Sequence, residues 1–220
     1  MDSEFYKEKL YPLQDRVLKL FRDVETGLYL TGDTAASRAY LEHRYSDDLD
    51  LFANDSQDFS LWVSRCIDVL HKAGEFNIDI LLQEKRFTRI VIETRDVDMK
   101  IEFVNDVPGR VGNVRTHDML GRIDSPENIL ANKITAVLDR NEPKDLADIW
   151  GFCTKMNLSL KDAITGAQGK AAGVFPPDVA RVLLSTTEED WKAIRWISAP
   201  PVNEFMRDIH RLGQSLLMIE

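Results

Sequence analysis

Tyr29-Leu30-Thr31-Gly32-Asp33-Thr34 and, a short way on, Tyr45-Ser46-Asp47-Asp48-Leu49-Asp50-Leu51-Phe52 are the two runs whose reading decides the fold. Leu28 to Leu30 reads as a short buried strand that Gly32 breaks, and Thr34 opens a helical stretch running to His43. Strand, tight turn and helix start in that order offer backbone N–H groups and the positive end of a helix dipole to phosphate oxygens. Asp48 and Asp50 are two residues apart on the next expected strand, so both carboxylates share a face while Leu49 and Leu51 point to the core. Two carboxylates on one face can hold a pair of divalent cations. A phosphate turn close to such a pair points to nucleotidyl transfer.

That chemistry needs the charge building on the α-phosphate and the departing pyrophosphate to be neutralised, and the attacking hydroxyl to be sharpened. Mg²⁺ prefers oxygen ligands and takes a few carboxylates together with phosphate and water, so one further acid from a neighbouring strand would complete the set. Glu102 is the best third candidate. In Met99-Lys100-Ile101-Glu102-Phe103-Val104 the apolar Ile101 and Phe103 face one way and leave Lys100 and Glu102 on the other. Asp98 shares that parity and Asp79 sits in a similar strand, so both compete, whereas Asp47 reads as a loop residue. An Asp-x-Asp alone marks a solvated strand face, and Glu102 alone an edge charge that discourages aggregation. Inside an apolar strand, behind a strand-Gly-Thr-helix turn, the pair reads differently, because burying carboxylates without a cation is costly.

Working outward, Phe5 to Thr26 has apolar residues at helical spacing, with Pro12 in the first turn or just before it. Asp58 to Ala73 repeats the pattern and ends at Gly74. Asn77 to Leu82, Phe87 to Thr94 and Val97 to Val104 read as three strands, close enough to be antiparallel neighbours. Pro108, Gly109 and Gly112 mark a loop, after which strand signals cease and Ser125-Pro126-Glu127-Asn128 begins a helix. Helices are expected over 125–140, 143–156, 159–167, 177–184 and from Pro201 to the C-terminus. The expected fold class is α+β, with a core over 1–115 and a helical domain over 116–220.

With 44% apolar residues among 220, the chain can bury a proper core. No segment approaches ~20 uninterrupted apolar residues, and Met1-Asp2-Ser3-Glu4 has neither the basic start nor the apolar run of a secretion signal, so a soluble, cytoplasmic protein is expected. Cys66 and Cys153 are far apart and read as buried free thiols. The formal net charge of -9 argues against a broad basic surface tracking along nucleic acid. The acid is concentrated in residues 1–108, which hold 22 Asp and Glu against 14 Lys and Arg. Any contact to a polynucleotide should therefore come from the second half, or be few and local.

Thr31-Gly32-Asp33-Thr34-Ala35-Ala36, His43 to Phe52, Asn128-Ile129-Leu130-Ala131-Asn132-Lys133 and Lys144-Asp145-Leu146-Ala147-Asp148-Ile149 together resemble the nucleotidyltransferase toxins of the AbiEii/AbiGii type. The resemblance spans both halves. It implies a DNA polymerase β-like nucleotidyltransferase core followed by a helical domain, and a toxin of a type IV toxin-antitoxin or abortive-infection system. Some members transfer nucleotides to transfer RNA acceptor ends, so the implied reaction is Mg²⁺- or Mn²⁺-dependent transfer of a nucleoside monophosphate from a nucleoside triphosphate to an RNA hydroxyl, with a cognate antitoxin as partner. It further implies that Gly32, Asp33, Thr34, Ser46 and Lys133 meet the nucleotide, that Asp48, Asp50 and Glu102 bind metal, and that Lys133 and Asp145 complete the catalytic set.

Two departures stand out. Asp33 occupies a place where the family usually has glycine or serine, and a carboxylate there repels a triphosphate unless turned away or bridged by metal, so Asp33 also reads as a helix N-cap. Lys144 replaces the usual arginine, keeping charge but losing a bidentate fork. Lys133 and Arg140, two turns apart, share a helix face, and Asp145 and Asp148 follow Pro143 where they suit a helix N-terminus. His43 and Arg44 read as caps or as supports for the loop bearing Asp48, and Trp150, Trp191 and Trp196 as core or interface residues rather than base-stacking platforms. Two other readings remain: a small-molecule nucleotidyltransferase of the antibiotic-modifying kind, and a nucleotide- or partner-binding protein that has lost catalysis.

Overall fold

The computed structural model describes residues 3–140 and 142–217. They form two compact units, one holding residues through Ala35, Ser46–Pro108 and Asn113–Asp124, the other Ala36–Tyr45, Gly109–Gly112 and the chain from Ser125 onward. Residue 115, the divide expected from the sequence, lies inside the first unit.

The first unit begins with a helix in three parts: α1 (Ser3–Phe5), a π-helical stretch (Tyr6–Leu10) and α2 (Tyr11–Arg22). Pro12 has no N–H to give the turn before it, and the widened π stretch lies immediately upstream. Strand β1 (Tyr29–Thr31) leads into α3 (Gly32–Thr34), which continues as a second π-helical stretch, Ala35–Leu41. Then come β2 (Leu49–Asn54), α4 (Phe59–Ala73), β3 (Asn77–Gln83), β4 (Phe87–Glu93) and β5 (Asp98–Asp106). Two short strands follow, β6 (Arg115–His117) and β7 (Gly121–Ile123).

All seven strands form one mixed sheet in the order β3-β4-β5-β2-β1-β7-β6. The consecutive strands β3, β4 and β5 are antiparallel neighbours, as their close spacing predicts. Strand β5 then lies parallel to β2, and β2 antiparallel to β1. Burial alternates residue by residue along β2, β4 and β5, the mark of strands with one face in the core. Leu49, Leu51, Ile90, Ile92, Ile101 and Phe103 are buried there, with Val17 and Phe21 of α2 and Val63 and Leu70 of α4 also in the core. Each such side chain contributes roughly 1.5–3 kcal/mol of transfer free energy. Strands β6 and β7 correct the sequence reading, which ends the strands before residue 115. Each has only three residues and no apolar alternation, and β7 exists because Ile123 pairs with Leu30 in parallel.

The second unit is helical: α5 (Pro126–Asp139), α6 (Pro143–Thr154), α7 (Leu160–Gln168), α8 (Pro176–Leu184), α9 (Glu188–Ala193) and α10 (Val202–Leu217). Ser125 caps α5 by accepting the Asn128 N–H at 3.2 Å, and Ser159 does the same for Asp162 at 3.1 Å, which is why both starts are legible in the sequence. The expected C-terminal helix is α10 as far as Leu217; its last three residues lie outside the described residues. Helix α9, closed by a capping box between Thr187 and Asp190, escapes the sequence reading because its six residues carry less than two turns of pattern. Trp150 and Phe205 are buried and pack with the half-buried Trp196, ring centroids 5.6–6.0 Å apart. Among the described residues no helix is long and apolar enough to cross a membrane.

Candidate active site

The carboxylates come together through strand register. Parallel pairing sets Asp50 opposite Glu102, with Leu49 opposite Ile101 and Leu51 opposite Phe103, so the acids share one face and the apolar residues the other. Lys100 Nζ lies 3.0 Å from Asp48 Oδ2 and 3.3 Å from Glu102 Oε1. Arg89, opposite Glu102 on β4, donates to the same Oε1 from Nε at 2.8 Å. Burial pushes the Asp48 carboxyl above its usual range; Lys100 works against this, and the charges of Asp47 and Glu102 add to it. Asp48 and Glu102 thus converge on one positive nitrogen, and Lys100 stands where a cation is welcome. The donor set is all oxygen, as Mg²⁺ or Mn²⁺ requires.

The glycine turn meets this cluster directly. Gly32 has φ +63°, in the left-handed region, and a Cβ added to it would collide with Asp50 Oδ2 and lie 3.0 Å from Asp50 Cγ. Backbone conformation and space both demand glycine. Gly32→Ala should therefore displace the Asp50 carboxylate and cost about 1–2 kcal/mol from the left-handed backbone alone, so a urea melt should show reduced stability together with a loss of transfer activity. Wild-type values for both in Gly32→Ala would remove the turn from the site.

The helix cap differs from expectation. Thr31, not Asp33, occupies the N-cap position, with extended φ and ψ, and Asp33 lies in the first turn, half-buried. Thr34 and Ser46 are buried, and their hydroxyl oxygens are 2.8 Å apart. Thr34 also donates to the Asp48 carbonyl oxygen at 2.5 Å, so its hydroxyl secures the segment that carries the carboxylates. Three supports escape the sequence reading. Buried Gln14 donates to the carbonyls of Ser46 and Asp47 at 3.3 and 3.0 Å. Tyr6 donates to Asp47 Oδ1 at 2.8 Å, and Thr31 donates to the buried Asp124 at 2.8 Å. A Gln within the apolar stripe of an amphipathic helix is the one signal that could have pointed to them. Of the other acids considered, Asp98 is exposed at the start of β5, and Asp79 is exposed on the edge strand β3.

In the second unit, Lys133 and Asp145 belong to a buried ionic network. Lys133 Nζ lies 2.7 Å from Asp145 Oδ1 and 2.6 Å from Asp148 Oδ2. Arg140, the residue that follows α5, reaches Asp145, Nε to Oδ2 at 2.8 Å. Arg44, 2% exposed, grips Asp148 with Nε and Nη2, both at 2.7 Å, and His43 Nε2 lies 2.9 Å from Asp148 Oδ1. Asp148 is fully buried; burial alone would raise its pKa, but Arg44, Lys133 and His43 hold it far below the usual carboxylate range. The sequence points Asp148 only to a helix terminus, and its central place in the network is a tertiary result.

His43 makes a pH prediction. Burial lowers its pKa below the ordinary 6.5, Arg44 and Lys155 add to this, and Asp148 opposes it. Its Nδ1, where a second proton would go, is buried with no hydrogen-bond partner among the described residues. The unfolded chain therefore binds this proton more readily than the folded one. Stability from His43 is complete above pH 6.5 and is lost as pH falls from there toward the folded pKa, by up to about 1.4 kcal/mol per pH unit. Urea midpoints at pH 7.5 and 5.5 should differ more in wild type than in His43→Gln; equal differences would contradict it. Burial also pushes the Cys66 and Cys153 thiols up to about 12, which leaves them unreactive.

A mixed sheet with Asp50 opposite Glu102 on neighbouring strands, Asp48 just ahead of the first of them, and a strand-glycine-helix turn alongside has the fold of a DNA polymerase β-like nucleotidyltransferase core. The chain superposes on JHP933 from Helicobacter pylori with a TM-score of 0.68, at 18% identity over 98% of this chain and 93% of that one. It superposes on MenT4, a nucleotidyltransferase toxin from Mycobacterium tuberculosis, with a TM-score of 0.67, at 16% identity over 100% of this chain and 87% of that one. A family model, Nucleotidyl transferase AbiEii toxin, Type IV TA system, matches residues 19–195, and the chain belongs to this family. It is a toxin nucleotidyltransferase. The comparison with curated proteins found no match.

Proposed function

We propose that the enzyme moves a nucleoside monophosphate from a nucleoside triphosphate to a hydroxyl of an RNA acceptor, at a transfer RNA end, with Mg²⁺ or Mn²⁺ held by Asp48, Asp50 and Glu102. The observation that carries this reading is the convergence of Asp48 and Glu102 on the Lys100 ammonium, with Asp50 against Gly32. Bound metal would neutralise the α-phosphate and pyrophosphate charge. Gly32, lacking a side chain, leaves room for the Asp50 carboxylate beside the turn, and Thr34 and Ser46 hold the carboxylate segment in place. The acceptor oxygen attacks the α-phosphorus as the bond to the bridging oxygen of pyrophosphate breaks. Glu102, oriented by Arg89, accepts the hydroxyl proton, and pyrophosphate leaves. Modification of the acceptor is then the toxic act, and a cognate antitoxin the partner that restrains it.

Purified protein incubated with each radiolabelled nucleoside triphosphate, Mg²⁺ and total cellular RNA should label RNA with at least one nucleotide, and chelation of the metal should abolish the label. Label confined to small molecules would turn the assignment toward antibiotic-type modification. No label in any pool, with nucleotide still bound, would leave a binding protein.

A further inference from the structure

Lys100 stands between two of the carboxylates assigned to metal, its Nζ 3.0 Å from Asp48 Oδ2 and 3.3 Å from Glu102 Oε1. We propose that Lys100 is a positioning residue that holds the place of the divalent cation: it keeps the carboxylates gathered while no metal is bound, and withdraws when cation and nucleotide enter together. This inference rests on the metal assignment above.

Arg89 and Lys100 both act on Glu102, but their settings differ. Arg89 meets Glu102 Oε1 with Nε at 2.8 Å and Nη2 at 2.7 Å, and its guanidinium carbon lies 5.3 Å from the centroid of the Phe87 ring. A planar fork over an aromatic ring is held in one orientation. Lys100 has no such anchor. Among the described residues its ion-pair partners are Asp48 and Glu102 alone, its side chain is 36% exposed, and a flexible four-carbon stem carries the charge. Arg89 can therefore stay on Glu102, whereas Lys100 can swing toward water without giving up any other ion pair.

Charge explains why such a residue is useful. Strand register sets Asp50 opposite Glu102, and Asp48 lies two residues ahead of Asp50, so three acids are gathered before any cation binds. Mutual repulsion works to spread them, and one ammonium between two of them relieves it. A free divalent ion that seeks the same oxygens must first expel a like charge, which weakens its binding. A triphosphate changes this balance, because its own negative charge offsets that of the cation it accompanies and attracts the displaced ammonium. Loading by cation and nucleotide together is thus favoured over loading by free cation.

The full chain and the variants Lys100→Met, Lys100→Arg and Lys100→Met/Asp50→Asn are titrated with Mn²⁺ in the absence of nucleotide, with unbound Mn²⁺ followed by electron paramagnetic resonance. Lys100→Met should bind free Mn²⁺ about 10-fold or more tightly than wild type, because the ion no longer displaces a like charge. Without divalent cation its urea midpoint should lie below that of wild type, and Lys100→Arg, which keeps the charge, should bind Mn²⁺ as weakly as wild type. A lysine with only a structural role gives the opposite sign, since its loss would scatter the carboxylates and weaken the metal. Mn²⁺ affinity in Lys100→Met equal to or below that of wild type overturns the proposal. The preformed complex of Mn²⁺ with a non-hydrolysable nucleoside triphosphate should bind wild type and Lys100→Met with affinities closer together than those for free Mn²⁺; an equal gap overturns joint loading. If Lys100→Met/Asp50→Asn binds Mn²⁺ as tightly as Lys100→Met, the ion lies elsewhere, and the metal assignment falls together with this inference. Should Lys100→Met fail to fold, Lys100→Gln carries the same expectations.

Discussion

Asp50→Asn lowers nucleotidyl transfer by about 10³-fold or more, roughly 4 kcal/mol of transition-state stabilisation, while the protein stays as stable as wild type or gains stability. Asp50 sits at the meeting point of the two features that define the site. Its strand partner is Glu102, and its carboxylate occupies the space that the missing side chain of Gly32 leaves open. In the absence of bound cations, Asp48, Asp50 and Glu102 repel one another, and Lys100 and Arg89 offset part of the charge of Asp48 and Glu102. Replacing one carboxylate by an isosteric amide removes repulsion and, on the proposed assignment, a metal ligand together. Activity and stability should therefore move in opposite directions, the pattern of a site arranged for chemistry at the expense of folding. Single-turnover transfer of labelled nucleotide measures the first effect, and a urea midpoint without divalent cation the second. A folded Asp50→Asn enzyme with wild-type turnover would remove Asp50 from the metal set. An Asp50→Asn protein that fails to fold would show instead that the residue is structural.

The second large effect belongs to Asp148 and has the opposite character. Asp148→Ala should destabilise the protein by about 3–5 kcal/mol, because it leaves buried cations without their counter-charge. Arg44 loses both of its 2.7 Å bonds, His43 loses its Nε2 partner, and Lys133 loses its 2.6 Å partner while keeping Asp145. Against a usual total of about 5–15 kcal/mol, that is a large share. For a chain of this length it corresponds to a fall of roughly 6–20 °C in Tm. Differential scanning calorimetry decides it. A melting temperature within about 2 °C of wild type would mean that water reaches Arg44 and Lys133 easily, and that the network contributes little. The same carboxylate type thus has two roles in this chain, set by surroundings: partly exposed and mutually repelling on the sheet, fully buried and saturated with cations among the helices.

Much of this is readable from residue order, and the exceptions follow a pattern. The turn at Gly32, the Asp48–Asp50 pair, the place of Glu102 and the long helices all rest on local periodicity or on residues with sharp conformational demands. Ser125-Pro126 and Ser159 announce helix starts because a cap is a local hydrogen bond. Strands β6 and β7 give no such signal, since three polar or glycine-bearing residues have no period to detect, and the strand that joins them to the sheet, β1, lies nearly a hundred residues from its partner β7. Asp33 reads as the cap from its residue type, but the residue before Gly32 adopts the extended conformation that a cap needs, and Asp33 is left inside the first turn. The supports for the carboxylate segment, Tyr6, Gln14 and Asp124, are invisible for the same reason as the short strands. Each acts across a large separation in sequence through a single hydrogen bond or a close pair of them.

Residue order by itself determined an α+β chain with a strand-glycine-helix turn, two closely spaced aspartates at the start of a strand and a helical second half, because alternation, glycine geometry and capping are short-range physics. Tertiary structure alone decided that β5 lies parallel to β2 with Glu102 beside Asp50, that Lys100 stands between Asp48 and Glu102, and that Arg44, His43 and Lys133 close around Asp148. Those arrangements depend on which distant surfaces bury each other, and the energy of a buried charge depends on the counter-charges that packing brings to it.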